Sequence, residues 1–290
     1  MVGAGPAGNN AALGLAQRGY AVSVIESRQT IGDKLCTGIL GRECVVKYPL
    51  SSDLIYRGAS SARVVTPNTD ITSFSTTSPK AFIVDRAAYV ASFAQKAEQL
   101  GVNYRLEERV SRISIGDKDV KVVTNRGNYR ARALALASGF GSPLVRQLGF
   151  PPPADFVSAV QAVVQTSGVD GVEVHVGSDV APGFFSWLVP TLPDTALVGL
   201  LARRSAREYL SHFIQRLKDD GKVIDVIQEP ACWGVPLRPV KRTYQDRALV
   251  IGDAAGQVKP TTGGGIYYSL LASEMAVNVL DKALETDDLS

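Results

Sequence analysis

Three stretches of this chain hold residues whose types and spacing suit chemistry. The first is Met1-Val-Gly-Ala-Gly-Pro-Ala-Gly8, where Gly3, Gly5 and Gly8, with Pro6 and Ala7 between the last two, form a Gly-x-Gly-x-x-Gly turn that opens into a helical pattern. In such a turn the first glycine makes the tight bend, the second lets backbone approach a pyrophosphate, and the third lets helix and strand pack closely. The helix start presents unpaired N–H groups and a positive dipole end to phosphate. Glu26 closes the apolar run Ala21–Ile25, eighteen positions after Gly8. It stands where a carboxylate accepts hydrogen bonds from a ribose, or it is a surface-strand acid. The second stretch is Ala248-Leu-Val-Ile-Gly-Asp253, followed by Pro260-Thr-Thr-Gly-Gly-Gly265. Asp253 sits just past a buried run, where a carboxylate can meet a polyol, and Gly263, Gly264 and Gly265 start a helix with bare N–H groups suited to an electron-rich ring edge. The two stretches define the ends of one extended cofactor. The third is Gly183-Phe-Phe-Ser-Trp-Leu-Val-Pro190, whose Phe184, Phe185 and Trp187 are either ordinary core or an apolar wall. Strand alternation puts Phe185 and Trp187 on one face.

Smaller signals lie between. After Glu26, the polar and glycine-punctuated segment Ser27–Gly41 reads as a loop on the ligand side, with Cys36 near the cofactor and Thr37-Gly38 allowing close backbone approach. A buried, inert Cys36 is the other option. Arg86, after Asp85, either caps its helix locally or projects toward phosphate. The apolar run Leu134–Ala137 ends in Ser138-Gly139, a second glycine turn without a second Gly-x-Gly-x-x-Gly, so no separate nicotinamide-binding Rossmann unit is visible.

The elements that must position these residues follow from periodicity. A helix runs from the first turn to Gly19, another spans Arg86–Leu100 with Ala87, Val90, Phe93, Ala94, Ala97 and Leu100 on one stripe, a third spans about Arg207–Asp219, and the last starts at Ile266 and reaches about Leu284. Short strands are expected at 62–66, 71–75, 102–105, 110–115, 120–124 and 129–136, and longer ones at 157–165, 172–176 and 195–201. Only Met1 and Val2 precede the first turn, where a strand of about five residues is usual, so most of that strand is expected to be missing.

Composition narrows the class. With 45% hydrophobic residues in 290, the chain can bury a large core in two lobes, and 31 basic against 28 acidic residues is too balanced for nucleic-acid binding by bulk charge. Cys36, Cys44 and Cys232 form no C-x-x-C pair, which suits a reducing compartment. His175 and His212 lie apart without neighbouring ligands, so no metal site is expected. No run approaches the roughly 18 apolar residues of a spanning helix, and no leader is seen.

Taken together, these motifs resemble the FAD-dependent geranylgeranyl reductase family, within the p-hydroxybenzoate-hydroxylase-like flavoproteins, over essentially the whole chain. The resemblance implies an α/β fold: a discontinuous, GR2-type Rossmann-like FAD-binding domain (1–54, 78–150, 240–290) with an inserted α+β substrate domain on an antiparallel sheet (55–77, 151–239). It implies that Gly3, Gly5, Pro6, Ala7, Gly8, Glu26 and Ser27 hold the ADP half of FAD. Gly252-Asp253 then meets the ribityl chain, and Pro260 with Gly263–Gly265 lies at the isoalloxazine. Arg86, Ser138 and Gly139 belong to the cofactor shell. Lys34-Leu-Cys-Thr-Gly38 is similar to the Cys-containing loop beside the flavin, with Cys36 a candidate catalytic group. Phe185-Ser-Trp187-Leu-Val-Pro190 resembles the Tyr-x-Trp-x-Phe-Pro substrate motif, with Phe185 and Val189 in place of Tyr and Phe. Ala137-Ser-Gly139 replaces the usual Ala-Asp-Gly, and the family continues past the last helix.

The implied activity is saturation of isolated double bonds in polyprenyl groups, on a prenylated lipid or prenyl diphosphate. FAD would be reduced by NAD(P)H or a ferredoxin-like donor. The implied location is cytoplasmic with peripheral membrane contact, without metal or nucleic acid. The same fold also serves flavin monooxygenases and halogenases, whose Trp-x-Trp-x-Ile-Pro stretch is similar, and a flavin-free binding module is the alternative outside the enzymes.

Overall fold

The computed structural model describes every residue except Lys34, Leu35 and Thr69. It divides into two compact units, Met1–Lys34 with Ala87–Phe156 and Pro236–Ser290, and Leu35–Arg86 with Val157–Val235.

The first unit is built on a parallel layer. Ser23–Ile25 pairs in parallel with Asn103–Arg105, Leu134–Leu136 pairs in parallel with Ala248–Val250, and Tyr244–Gln245 adds an antiparallel edge. The opening residues join the halves: Val2 bridges in parallel to both Ile25 and Leu136. Its backbone is fully engaged, Val2 N–H donating to Ala135 O at 3.0 Å and Val2 O accepting from Ala137 N–H at 2.8 Å, while the next N–H, that of Gly3, donates to Ile25 O at 2.8 Å.

Helix Pro6–Gln17 follows at once, with proline in its first turn and Ala7, Ala11 and Leu15 turned inward. It crosses the final helix, Ile266–Thr286, where Gly14 lacks a side chain and the Val277 methyls approach. Two asparagines tie the opening helix to its neighbours, Asn10 to the final helix and Asn9 to the elements on its other side. Asn10 Nδ2 donates to Ser273 Oγ at 2.7 Å, and fully buried Asn9 donates to the Ala4 and Val90 carbonyls and accepts from Tyr104 O–H. Helix Arg86–Gln99 is the third on that side, through Ala97. On the other face, the antiparallel meander Val110–Ile115, Val120–Thr124, Asn128–Ala131 packs Ile113, Val120 and Val122 against Ile25, Leu136 and Val250, together with a short helix, Pro143–Gln147, that the periodicity did not signal. Apolar burial on both faces is the requirement for a parallel sheet.

The second unit is an α+β body. Its seven-stranded sheet runs in the order Val223–Pro236, Phe156–Thr166, Thr195–Ala202, Phe185–Pro190, Val172–Val176, Ser61–Val65, Ile71–Ser75. Registered neighbours are antiparallel except Val172–Val176 beside Ser61–Val65, which is parallel. Helix Ala206–Asp219 lays Leu210, Phe213, Ile214 and Leu217 on Val160, Leu188, Val198 and Leu200. A small sheet of Ile39–Gly41, Ala81–Val84 and Ile55–Ala59 completes the unit. Thus Ile39–Gly41, expected as loop, forms a strand, because its edge is taken by Ala81–Ile83. Residues 36–54 and 78–86, which the resemblance groups with the cofactor domain, fall within this second body, and residues 151–156 and 236–239, grouped with the substrate domain, fall within the first. Among the described residues no helix is long and apolar enough to cross a membrane.

Candidate functional site

In the first unit the glycine turns meet. Gly3 has φ of +100°, and a Cβ there would overlap the Ala137 carbonyl, coming within 2.8 Å of its carbon. Gly8 is excluded from carrying a side chain by Gly3 itself, whose carbonyl carbon lies 3.1 Å from where a Cβ would be. Gly5, in contrast, faces open space, and it caps the opening helix with no side-chain hydrogen bond. Gly139 (φ +77°) faces open space as well. Two of the three glycines of the first turn are thus closed off by backbone, and the second is open.

Glu26 sits at this rim, half-buried. Its Oε2 accepts from Ala4 N–H at 2.8 Å and its Oε1 from Arg28 N–H at 2.9 Å and Ser27 Oγ at 3.3 Å. The carboxylate is thus pinned to the turn by backbone donors, with lone pairs left for a ligand. Beside Gly139, Ser138 Oγ is buried with no hydrogen-bond partner among the described residues.

The C-terminal motif joins the same rim through packing. Gly252 (φ +71°) has room for no more than contact with Ala7 Cβ, 3.1 Å from where its own Cβ would be, and its N–H donates to Gln257 Oε1 at 2.7 Å. Asp253 Oδ1 lies 3.0 Å from the position of a Cβ on Gly265. Gly265 starts the last helix without a side-chain cap. Lys259 N–H donating to Gly264 O at 2.9 Å closes the exposed Pro260 turn, with Gly263 at φ +65°. Contacts therefore run from Glu26 through Gly3–Gly8 to Ser138 on one side and to Gly252 on the other, where Asp253 in turn meets Gly265.

In the second unit, Gly38 (φ +71°) packs on Val84 and Arg86: its carbonyl accepts from Val84 N–H at 3.0 Å, and a Cβ on it would come within 3.3 Å of Arg86 Cβ. Cys36 is half-buried. Lys34 and Leu35 of the same segment lie outside the described residues. Phe185 and Trp187 share a face with ring centroids 6.0 Å apart, as alternation requires. Phe184 precedes the strand and carries the Arg203 guanidinium over its ring at 5.9 Å. Pro190 is buried at the strand's end, paired with Ala196.

Gln161, which nothing in its apolar surroundings singles out, is the polar centre of this face. It is 1% exposed, and its Oε1 accepts from Thr37 Oγ1 at 2.9 Å and Trp187 Nε1 at 3.3 Å. The sequence signal that was available is a lone polar residue inside the run Ala159–Val164. Among the described residues no three His, Cys, Asp or Glu are gathered as metal ligands would be.

Comparison with known proteins adds the following. A model of the FAD-dependent oxidoreductase family matches residues 50–270, and one of an NAD(P)-binding Rossmann-like domain matches residues 1–51. A digeranylgeranylglycerophospholipid reductase of Methanosarcina acetivorans is 27% identical over 100% of this chain and 76% of its own length. A protein of the same name from Methanococcoides burtonii is 29% identical, also over 100% of this chain and 76% of its own. Among solved structures, a geranylgeranyl bacteriochlorophyll reductase-like protein of Thermoplasma acidophilum superposes with a TM-score of 0.90 at 23% identity, covering 100% of this chain and 79% of that one. A flavin-dependent halogenase superposes at 0.77 with 19% identity, over 99% of this chain and 58% of its own.

Proposed function

The chain belongs to the FAD-dependent oxidoreductase family, and from that membership we propose that it reduces isolated C=C bonds of geranylgeranyl or related polyprenyl groups on lipids or lipid precursors. Similarity along the whole chain to digeranylgeranylglycerophospholipid reductases is the observation that carries this reading.

The residues of the first unit fit FAD. Gly5 and Gly139 leave space where a side chain would intrude, and Ser138 Oγ is buried without a partner. On this reading the uncapped N–H groups at the start of helix Pro6–Gln17 face the pyrophosphate and Glu26 takes the adenosine ribose hydroxyls. Ser27 lies beside that ribose site. Asp253 holds the ribityl chain, and Pro260 with Gly263–Gly265 borders the ring. Cys36, Thr37, Gly38 and Arg86 are assigned to the cofactor by the family resemblance alone.

Held by these residues and reduced by NAD(P)H or a ferredoxin-like donor, FAD would supply the hydride for one alkene carbon, the other carbon taking a proton. The chain's own part is orientation and water exclusion. An unactivated alkene has nothing to hydrogen-bond, so its binding rests on apolar contact, which the paired rings of Phe185 and Trp187 provide. Phe184 stands at the start of that strand and Pro190 ends it. A lipid substrate also brings the protein to a membrane surface, and sedimentation with vesicles of the substrate lipid tests that peripheral contact.

The central experiment is anaerobic. Photoreduced protein mixed with digeranylgeranylglycerophospholipid should reoxidise its flavin and yield a product heavier by one H2 for each bond reduced. Reoxidation with no prenyl lipid, together with oxygen-dependent turnover of an aromatic substrate, would replace this reading by that of a monooxygenase or halogenase, whose fold is shared.

A further inference from the structure

Gln161 belongs to no motif of the chain, yet two of its candidate functional segments hang on one atom of it. Trp187 and Thr37 lie 26 and 124 residues from it in sequence. Both donate to Gln161 Oε1. An indole N–H is only a donor, so the atom facing Trp187 must be the amide oxygen; a flipped amide would set donor against donor.

The backbone prepares this arrangement. Gln161, Gly199 and Trp187 form one row across three adjacent strands, Gln161 pairing with Gly199 and Gly199 with Trp187. A Cβ on Gly199 would fall 2.6 Å from Trp187 Cε2. The missing side chain therefore lets the indole lie flat across the middle strand and reach Gln161, two strand spacings away, about 9.6 Å. A buried polar group with two donors on one acceptor and a glycine clearing the path is a constructed junction, since apolar residues would fill the same row without the desolvation cost.

We propose that Gln161 is a positioning residue for the reaction, locking the indole of Trp187 to the Cys36–Gly38 loop so that the aromatic wall and the loop adopt one conformation together. The catalytic consequence rests on the prenyl-reductase reading above; the mechanical coupling does not.

The experiment separates the two. In a Trp233→Phe background Trp187 is the only tryptophan, because the chain has two. Thr37→Val, which loses the hydroxyl donated to Gln161, should shift the emission and quenching of Trp187 in the holoprotein. The same substitution should have no further effect in a Gln161→Leu background and should keep its effect with Gln161→Glu, which retains an acceptor oxygen. An unchanged emission in Thr37→Val, or an equal shift with and without Gln161, would overturn the coupling. With digeranylgeranylglycerophospholipid, Thr37→Val and Trp187→Phe should each lower kcat/KM roughly tenfold, as the loss of one buried hydrogen bond does. The double variant should lose no more than the worse single one, and multiplying losses would overturn the proposal. A wild-type protein that reduces no prenyl lipid but still shows the emission coupling would refute the functional reading and leave the positioning role standing. Thr37→Val exchanges only a hydroxyl for a methyl, so its own emission shift tests the coupling even if Gln161→Leu fails to fold.

Discussion

Gly3 lies so close against the Ala137 carbonyl that the two glycine turns of the first unit are in backbone contact, with no space for even one methyl group between them. Substitution Gly3→Ala meets two penalties: a φ of +100° that side-chain-bearing residues avoid, and overlap with backbone that cannot rotate away. We expect purified Gly3→Ala to have lost its FAD, read as the ratio of flavin to protein absorbance, and to melt several degrees lower. Full flavin content would show that the turn does not set the cofactor site.

The same turn explains what Glu26 should contribute. Its carboxylate is held by two backbone N–H groups, so it is oriented before any ligand arrives. A hydrogen bond to a charged group contributes about 1.5–3 kcal/mol. Glu26→Ala should therefore weaken FAD binding by roughly ten- to a hundredfold, and Glu26→Gln by less, in fluorescence titrations of the deflavo protein. Equal affinities would place the ribose elsewhere.

Much of this unit was legible from the chain because its signals are local. Gly3, Gly5, Gly8 and the helix behind them lie within one short span, and Glu26 and Asp253 each end an apolar run. The junctions were not legible. Asn9 and Asn10 read as ordinary polar helix residues, while their partners, Val90 and Ser273, are set by tertiary packing. Gln161 is hidden for the same reason. The fourteen-residue strand Val223–Pro236 carries Asp225, Glu229 and Pro230 on a sheet edge, and nothing in that pattern alternates cleanly. The loop expected at Ile39–Gly41 is a strand because Ala81–Ile83 completes it from forty residues away.

Gly199 gives a test of the aromatic face that leaves the cofactor residues untouched. A methyl group there would press on the Trp187 ring and on the Val160 carbonyl, 2.6 Å away. Overpacking of this kind costs about 1–3 kcal/mol. We expect Gly199→Ala to keep its flavin absorbance, to melt lower, and to lose turnover of prenyl lipid through a raised KM as Trp187 is pushed aside. Unaltered kinetics in a variant with displaced Trp187 emission would remove Trp187 from substrate contact.

Acid stability should depend on Glu173, on the helix-covered face of the same sheet. Its side chain is 2% exposed and lies between two cations, Lys222 Nζ at 2.8 Å and Arg63 at 3.2 Å, with His175 Nε2 at hydrogen-bond distance, 3.1 Å. Burial alone would raise its pKa. The hydrogen bonds from His175 and Lys222 and the Lys222 charge outweigh it, holding the carboxyl at about 2 against an ordinary 4.5. Because the folded value is the lower one, the unfolded chain binds the proton more tightly. The stabilisation is complete above about pH 4.5 and is lost progressively as pH falls toward 2. A shift of that size corresponds to stabilisation on the order of 3 kcal/mol. Thermal melts of wild type and Glu173→Gln should thus differ most at neutral pH and converge between pH 4.5 and 2. A gap that stays constant across that window would mean that Glu173 contributes by packing and not by its charge.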